Sequence, residues 1–252
     1  MMHVITLTMI FLEFKIPIIY NNDMDKLQLL KNTTLFSSLS PQELSAVSSL
    51  FAEERFEKDE FMLTEGEPPN WLCIVKEGTI KMVKHSPSGR EMIIAVMTAG
   101  DVIGEVAVFD GGPYPASAQG LGNGTILKLA RRDFFSLLKK YPSVALEIIG
   151  DLGKKLRGAL SVARELRGER VEGRIAMVLL KLARKVGAPV DGGVLLTIPF
   201  TRQDIADMVG STIETTIRVI SRFKKEGMVK DSKGKMTLDV KRLERIVKDM
   251  EI

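Results

Sequence analysis

Between residues 56 and 128 the chain repeats one pattern, a run of four or five β-prone residues followed by a glycine-bearing turn. The runs are Trp71-Leu72-Cys73-Ile74-Val75, Ile80-Lys81-Met82-Val83, Met92-Ile93-Ile94-Ala95-Val96 and Thr125-Ile126-Leu127-Lys128-Leu129. Glu65-Gly66, Glu77-Gly78, Ser88-Gly89, Ala99-Gly100 and Gly122-Asn123-Gly124 punctuate them. Strands this short bury their apolar sides only against one another, so the segment must be a sandwich, a roll or a barrel. Helical patterns flank it. Ser40-Pro41-Gln42-Glu43 offers an N-cap, a proline at the first helical position and a capping-box glutamate, opening a short helix over 44–51. From Arg131 onward the pattern is helical again.

Over residues 143–167, Ala145, Ile149, Leu152, Leu156, Ala159, Ala163 and Leu166 recur at alternating steps of four and three. That is a heptad seam, expected of a helix packed against a second copy of itself. Packing within its own chain is the alternative. The charged flanks Lys154, Lys155, Arg157, Arg164 and Glu165 keep the apolar stripe narrow and favour a homodimer.

Charge is unevenly distributed. The chain of 252 residues carries a formal +4, but residues 170–252 hold 17 Lys/Arg and 11 Asp/Glu, a net +6, leaving the first 169 positions at −2. A basic C-terminal part behind a slightly acidic one fits phosphate binding at one end. Cys73 is the sole cysteine, which rules out an intrachain disulfide and an iron–sulfur cluster, gives secretion no support and makes a cytoplasmic location the expectation. With only His3 and His85 beside it, no metal site is expected. Haem is not excluded, since one histidine can be an axial ligand, although His85 sits in the polar turn His85-Ser86-Pro87-Ser88-Gly89-Arg90. Residues 1–20 are apolar, but Glu13, Lys15 and Pro17 interrupt a run that needs about 20 clean apolar residues to span a bilayer. No membrane partner is expected. Met24-Asp25-Lys26-Leu27 resembles a second translation start, making residues 1–23 an extension that intact mass would test.

Two helical patterns lie close together from Arg202 to Glu226. Thr201 caps the first, whose apolar face is Ile205, Met208 and Val209; Gly210 permits a tight turn, and Ser211 or Thr212 caps the second. Thr216, Val219, Ile220 and Phe223 then face inward at i, i+3, i+4 and i+7, leaving Glu214, Ile217, Arg218 and Ser221 opposite, with Ile213 and Thr215 near the N-terminal end. Arginine matches the O6 and N7 acceptors of guanine and glutamate accepts from cytosine N4, so Glu214 and Arg218 are candidate base readers. A solvated i,i+4 pair has the same spacing. Met228-Val229-Lys230 and Lys235-Met236-Thr237-Leu238 flank Asp231-Ser232-Lys233-Gly234, a hairpin with a basic tip.

These segments together resemble the CRP/FNR superfamily, that of the cyclic-AMP receptor protein and the fumarate–nitrate regulator. The likeness rests on residues 65–78, on Gly100-Asp101-Val102-Ile103-Gly104-Glu105, on Val171-Glu172-Gly173-Arg174-Ile175-Ala176, on residues 201–210 and on Glu214-Thr215-Thr216-Ile217-Arg218. It implies an α+β chain: an N-terminal cyclic-nucleotide-binding-like β-roll, a long dimerisation helix and a C-terminal winged helix-turn-helix. The expected domains are 24–142 (effector), 143–169 (dimer helix, with seam residues Ile149, Leu152, Leu156, Ala159, Ala163 and Leu166) and 170–252 (DNA binding). The resemblance further implies double-stranded DNA as partner, read as an inverted repeat, and RNA polymerase as a partner if the protein activates. Glu214 and Arg218 would read bases, Ile213 and Ile217 would touch thymine methyls, and Thr201, Arg202, Gln203, Ser211, Thr212, Thr215 and Lys233 would hold phosphates. Ile213 stands where some relatives carry arginine, which favours a TTGA-type half-site over TGTGA. Thr216 stands where relatives carry a larger apolar residue.

The resemblance also places an effector pocket at Gly104, Glu105 and Ser117. Cyclic-AMP binders follow the Gly-Glu with an arginine that neutralises the cyclic phosphate, whereas no basic residue lies between Asp101 and Lys128 here. The polar pair that meets adenine from the dimer helix is replaced by Ala159 and Leu160. An uncompensated anion is costly to bury, so cyclic AMP is not the expected effector, whose identity stays open. A cyclic-nucleotide module acting through protein contacts is the alternative, with the basic hairpin against it. An enzyme is not expected, because no Ser/His/Asp set or phosphate loop is present and Glu105 has no acid or base partner.

Overall fold

The computed structural model describes residues 26–85, 91–165, 171–232 and 234–248. They form two compact units, one holding everything described up to residue 165 and the other everything from residue 171. The extension 1–23 with the start at Met24, most of the turn after His85, Leu166 and Lys233 lie outside the described residues, as do the side chains of Ala159 and Ala163.

The first unit opens with α1 (Lys26–Asn32), a 3-10 turn (Thr34–Phe36) and α2 (Pro41–Ser48). Ser40 caps α2 in the expected box: the Glu43 N–H donates to Ser40 Oγ at 3.4 Å and the Ser40 N–H to Glu43 Oε2 at 2.9 Å. Those bonds to the ionised form hold the Glu43 carboxyl below its usual value. Then come β1 (Ala52–Phe56), β2 (Phe61–Leu63), β3 (Trp71–Glu77), β4 (Ile80–His85), β5 (Glu91–Met97) and β6 (Val102–Ile103). They are followed by α3 (Glu105–Asp110), β7 (Ser117–Gly120), β8 (Gly124–Ala130), α4 (Arg131–Lys140) and α5 (Pro142–Glu165).

The strands form two antiparallel four-stranded sheets, β1-β8-β3-β6 and β2-β7-β4-β5. Side-chain alternation in β3 explains its unbroken apolar run. Cys73 and Val75 join Phe56, Ile80, Ala118 and Ile126 in a core drawn from both sheets. Leu72 and Ile74 point the other way, into a second core with α1, α2, α4 and α5. A strand buried on both faces has no polar side to show. Cys73 is buried there, and loss of hydration pushes its thiol up to about 12.

The second unit is α6 (Val171–Val186), β9 (Gly187–Val190), β10 (Gly193–Leu196), α7 (Arg202–Val209), α8 (Ile213–Lys225), β11 (Val229–Ser232), β12 (Lys235–Leu238) and α9 (Val240–Lys248). Its sheet runs β11-β12-β10-β9, antiparallel throughout. The apolar faces of α6 (Ile175, Leu179, Leu182), α7 (Ile205, Val209) and α8 (Val219, Ile220, Phe223) are buried, as is Leu243 of α9. The β9–β10 hairpin and α9 are additions to the sequence reading. Asp191-Gly192, an Asp-Gly pair between Val190 and Gly193, is the hairpin signal that was there to be read.

Candidate nucleic-acid interface and effector site

The helix pair α7–α8 is fixed by its caps. Thr201 Oγ1 accepts the Asp204 N–H at 3.0 Å while the Thr201 N–H donates to Asp204 Oδ2 at 2.8 Å. An aspartate thus closes the capping box that a glutamate closes in α2. Gly210 ends α7 in the left-handed region, φ 64°, with its N–H on the Ala206 carbonyl, and this conformation turns the chain into α8 within three residues. Thr212, not Ser211, caps α8: its Oγ1 accepts the Thr215 N–H at 3.3 Å and donates to Thr215 Oγ1 at 3.0 Å. Arg174 Nε of α6 donates to the Val209 carbonyl at 3.2 Å, a cation at the C-terminal end of α7.

With Thr216, Val219, Ile220 and Phe223 turned inward, α8 presents Glu214, Ile217 and Arg218 to solvent, and Ile217 is 46% exposed. Ile213 and Ser211 are half-buried. Glu214 and Arg218, four apart on this exposed face, share no ion pair. Gln203 Nε2 donates to Asp207 Oδ1 at 2.8 Å, one turn along α7. The guanidinium of Arg202, an expected phosphate ligand, is engaged by Asp231 of β11 and donates to Met236 Sδ at 3.3 Å. Lys224 meets the same carboxylate, and Arg222 pairs with Glu172 of α6. Lys233, the expected wing contact, lies outside the described residues.

In the first unit Gly104 is the N-cap of α3, Glu105 is its first residue and Ser117 opens β7. Gly104 stands at φ 85°, where a Cβ would come 2.9 Å from the Trp71 carbonyl oxygen and 3.1 Å from Tyr114 Cε1, so the position accepts glycine alone without displacement. Tyr114 staples the same loop, its hydroxyl donating to the Trp71 carbonyl and accepting the Trp71 N–H, each at 2.8 Å. Ser117 is buried in β7 and its Oγ accepts the Glu65 N–H at 2.9 Å. Glu105 is buried at the start of α3, and Lys155 Nζ of α5 lies 2.6 Å from its Oε1 and 3.1 Å from Asp151 Oδ2. Burial by itself lowers the Lys155 value; the two carboxylates outweigh it, and the net direction is up. Sequence reasoning sought a cation only within residues 101–128 and missed two that the fold delivers from elsewhere. One is Lys155; the other is Lys84 of β4, whose Nζ donates to the Pro115 carbonyl at 3.1 Å. His85 ends β4 with its side chain half exposed, Nδ1 4.0 Å from Glu65.

The long helix α5 has two apolar sides. Val144 and Ile148 are buried in the unit's own core. Leu152, which the heptad reading places on the dimer seam, is partly buried against that same core, on the line 144-148-152. The outward stripe is Leu146 (72% exposed), Ile149 (64%), Leu156 (62%) and Leu160 (56%). Ile149 and Leu156, two of the expected seam residues, lie on that exposed stripe.

A β-roll with a long helix, and a second unit in which capped helices and a β-hairpin frame an outward recognition face, define a transcription regulator with a helix-turn-helix DNA-binding domain. The comparisons agree with that class. Residues 53–141 match the cyclic nucleotide-binding domain family and residues 173–246 the Crp-like helix-turn-helix domain family. The "CRP-like cAMP-activated global transcriptional regulator" of Mycobacterium tuberculosis is 27% identical over 219 residues, covering 86% of this chain and 98% of that protein. The "Fumarate and nitrate reduction regulatory protein" of Salmonella typhi is 26% identical over 193 residues, covering 76% and 80%. Among solved structures, FixK2 from Bradyrhizobium japonicum superposes with a TM-score of 0.68 at 25% identity, over 77% of this chain and 96% of that one. The chain belongs to the CRP/FNR superfamily of transcription regulators. No helix among the described residues is long and apolar enough to cross a membrane.

Proposed function

We propose that the protein acts in the cytoplasm as a symmetric dimer that reads an inverted-repeat DNA site, each protomer laying α8 in the major groove. One observation carries the reading: α8 keeps Thr216, Val219, Ile220 and Phe223 in the core and leaves Glu214, Ile217 and Arg218 exposed. Their chemistry suits base edges, with Arg218 on guanine, Glu214 on cytosine N4, and Ile213 and Ile217 on thymine methyls. Thr201, Arg202, Gln203, Ser211, Thr212, Thr215 and Lys233 set the register through phosphates. Where the protein activates transcription, RNA polymerase is its further partner.

The effector of the β-roll is not cyclic AMP. Ala116 precedes Ser117 where a phosphate-binding arginine would stand, the Lys155 ammonium is already held by Glu105 and Asp151, and the Lys84 ammonium by the Pro115 carbonyl and, at 3.6 Å, Glu65. The effector acts by population shift, changing how the roll packs on α5 and so bringing two recognition helices into register with grooves one turn apart. Selection of duplexes by purified protein tests the DNA reading: an enriched inverted repeat of TTGA-type half-sites is expected, and no enrichment at moderate salt sinks it. Calorimetric titration with cyclic AMP tests the second part, where no saturable heat is expected and micromolar binding refutes it.

A further inference from the structure

The helix-turn-helix and the hairpin behind it meet at one carboxylate. Asp231 of β11 takes Arg202 Nη2 and Lys224 Nζ on the same oxygen, Oδ2. Arg202 is the first residue of α7 and Lys224 lies in the last turn of α8, so three elements converge there. The side chains remain 25% (Arg202), 30% (Asp231) and 39% (Lys224) exposed, so the cluster sits at the rim, within reach of an external anion. Asp204 is occupied by the Thr201 cap, and Asp207 accepts from Gln203. Asp231 is the acid that restrains the cations.

Two kinds of duplex experience this restraint differently. A duplex of random sequence is bound through phosphates alone, in many registers, by cations able to swing out and follow them. A cation clamped to a carboxylate cannot follow. A duplex held in one register by base contacts meets Arg202 where the clamp has placed it, and a guanidinium with five donors can keep Asp231 and still donate to a phosphate. Preorganisation therefore reduces the loose complex more than the tight one.

We infer that Asp231 is a specificity-setting residue, which withholds Arg202 and Lys224 from random-sequence DNA by holding both on one carboxylate. The inference rests on the DNA-binding reading above, and the experiment separates the two. Full-length protein is titrated by fluorescence anisotropy, over a salt series, against a random-sequence duplex and against the inverted repeat enriched by selection. Asp231→Asn is expected to bind the random duplex about five-fold tighter, with a salt slope steeper by about 0.9 for each cation released, while affinity for the repeat changes less than about two-fold. Asp191→Asn, the same charge change in the exposed β9–β10 turn, should shift both duplexes by one small common factor. Adding Arg202→Gln to Asp231→Asn should remove most of the gain.

If Asp231→Asn only matches Asp191→Asn, or weakens both duplexes, the inference is overturned and Asp231 is a structural strut. Asp231→Ser repeats the measurement should circular dichroism show the asparagine variant unfolded. Wild-type protein that retains neither duplex refutes the DNA-binding reading instead.

Discussion

At the scale of single residues, Thr216 departs most from what its position needs. It lies wholly buried on the inner side of α8 among Val219, Ile220 and Phe223, and its Oγ1 has no hydrogen-bond partner. The sequence showed a side chain smaller than its relatives carry; the fold adds that the hydroxyl is unsatisfied, which costs about 1–3 kcal/mol. Thr216→Val keeps the shape and removes the orphaned group. Urea unfolding should show the variant more stable by about 1 kcal/mol, and an unchanged or lower midpoint would mean the hydroxyl has a partner after all. Arg218 is the opposite kind of residue, exposed and available. Arg218→Ala should cost about 1–3 kcal/mol on the selected repeat and relax preference at one base pair. Lys233→Ala should weaken all sequences alike and flatten the salt slope. The same sequence-independent loss from both would contradict the division between base reading and phosphate holding.

At the scale of elements, α3 and α5 are tied by Lys155, Glu105 and Asp151. Glu105 is the more buried partner, its side chain 10% exposed against 42% for Lys155. Lys155→Met leaves that carboxylate unpaired and, after allowance for solvent around the lysine, should cost about 1 kcal/mol near neutral pH. The pH dependence has a definite sign. Because the folded-state Lys155 value is raised above the ordinary 10.5, its contribution is complete below 10.5 and is lost as pH rises through the folded value. Melting curves of wild type and variant should therefore converge at alkaline pH; a gap of constant size would show that the ammonium is not what stabilises. This pair also marks a limit of sequence reading. Glu105 and Lys155 are fifty positions apart, and nothing local says they meet. Local chemistry was legible: the caps at Ser40 and Thr201, the turn at Gly210 and the inner face of α8 follow from patterns within a turn or two of helix. The β9–β10 hairpin was half-legible through Asp191-Gly192, because four-residue strands carry little periodicity of their own.

At the scale of the whole molecule, the outward stripe of α5 is the surface on which the proposed dimer depends. Two heptad registers run through this helix and share Ile149 and Leu156. One adds Leu152; the other adds Leu146 and Leu160. The sequence cannot choose between them, since all are apolar and only the rest of the fold determines which line is covered. The core covers the Leu152 side, leaving Leu146, Ile149, Leu156 and Leu160 in water within a single protomer. In the dimer proposed above, these four large apolar side chains along one helix, each stabilising by about 1.5–3 kcal/mol when buried, form the seam for the second copy. The two sides therefore respond differently to mutation. Leu152→Ala should lower the unfolding free energy by about 2 kcal/mol and leave the oligomer intact, because it opens space inside one chain. Leu156→Lys should leave the protomer folded, yet light scattering should report half the mass. Affinity for the inverted repeat should then fall to that for a lone half-site, because two recognition helices about 34 Å apart no longer bind as one body. A Leu156→Lys protein that remains dimeric, or a Leu152→Ala protein that dissociates, would place the seam on the other face of α5.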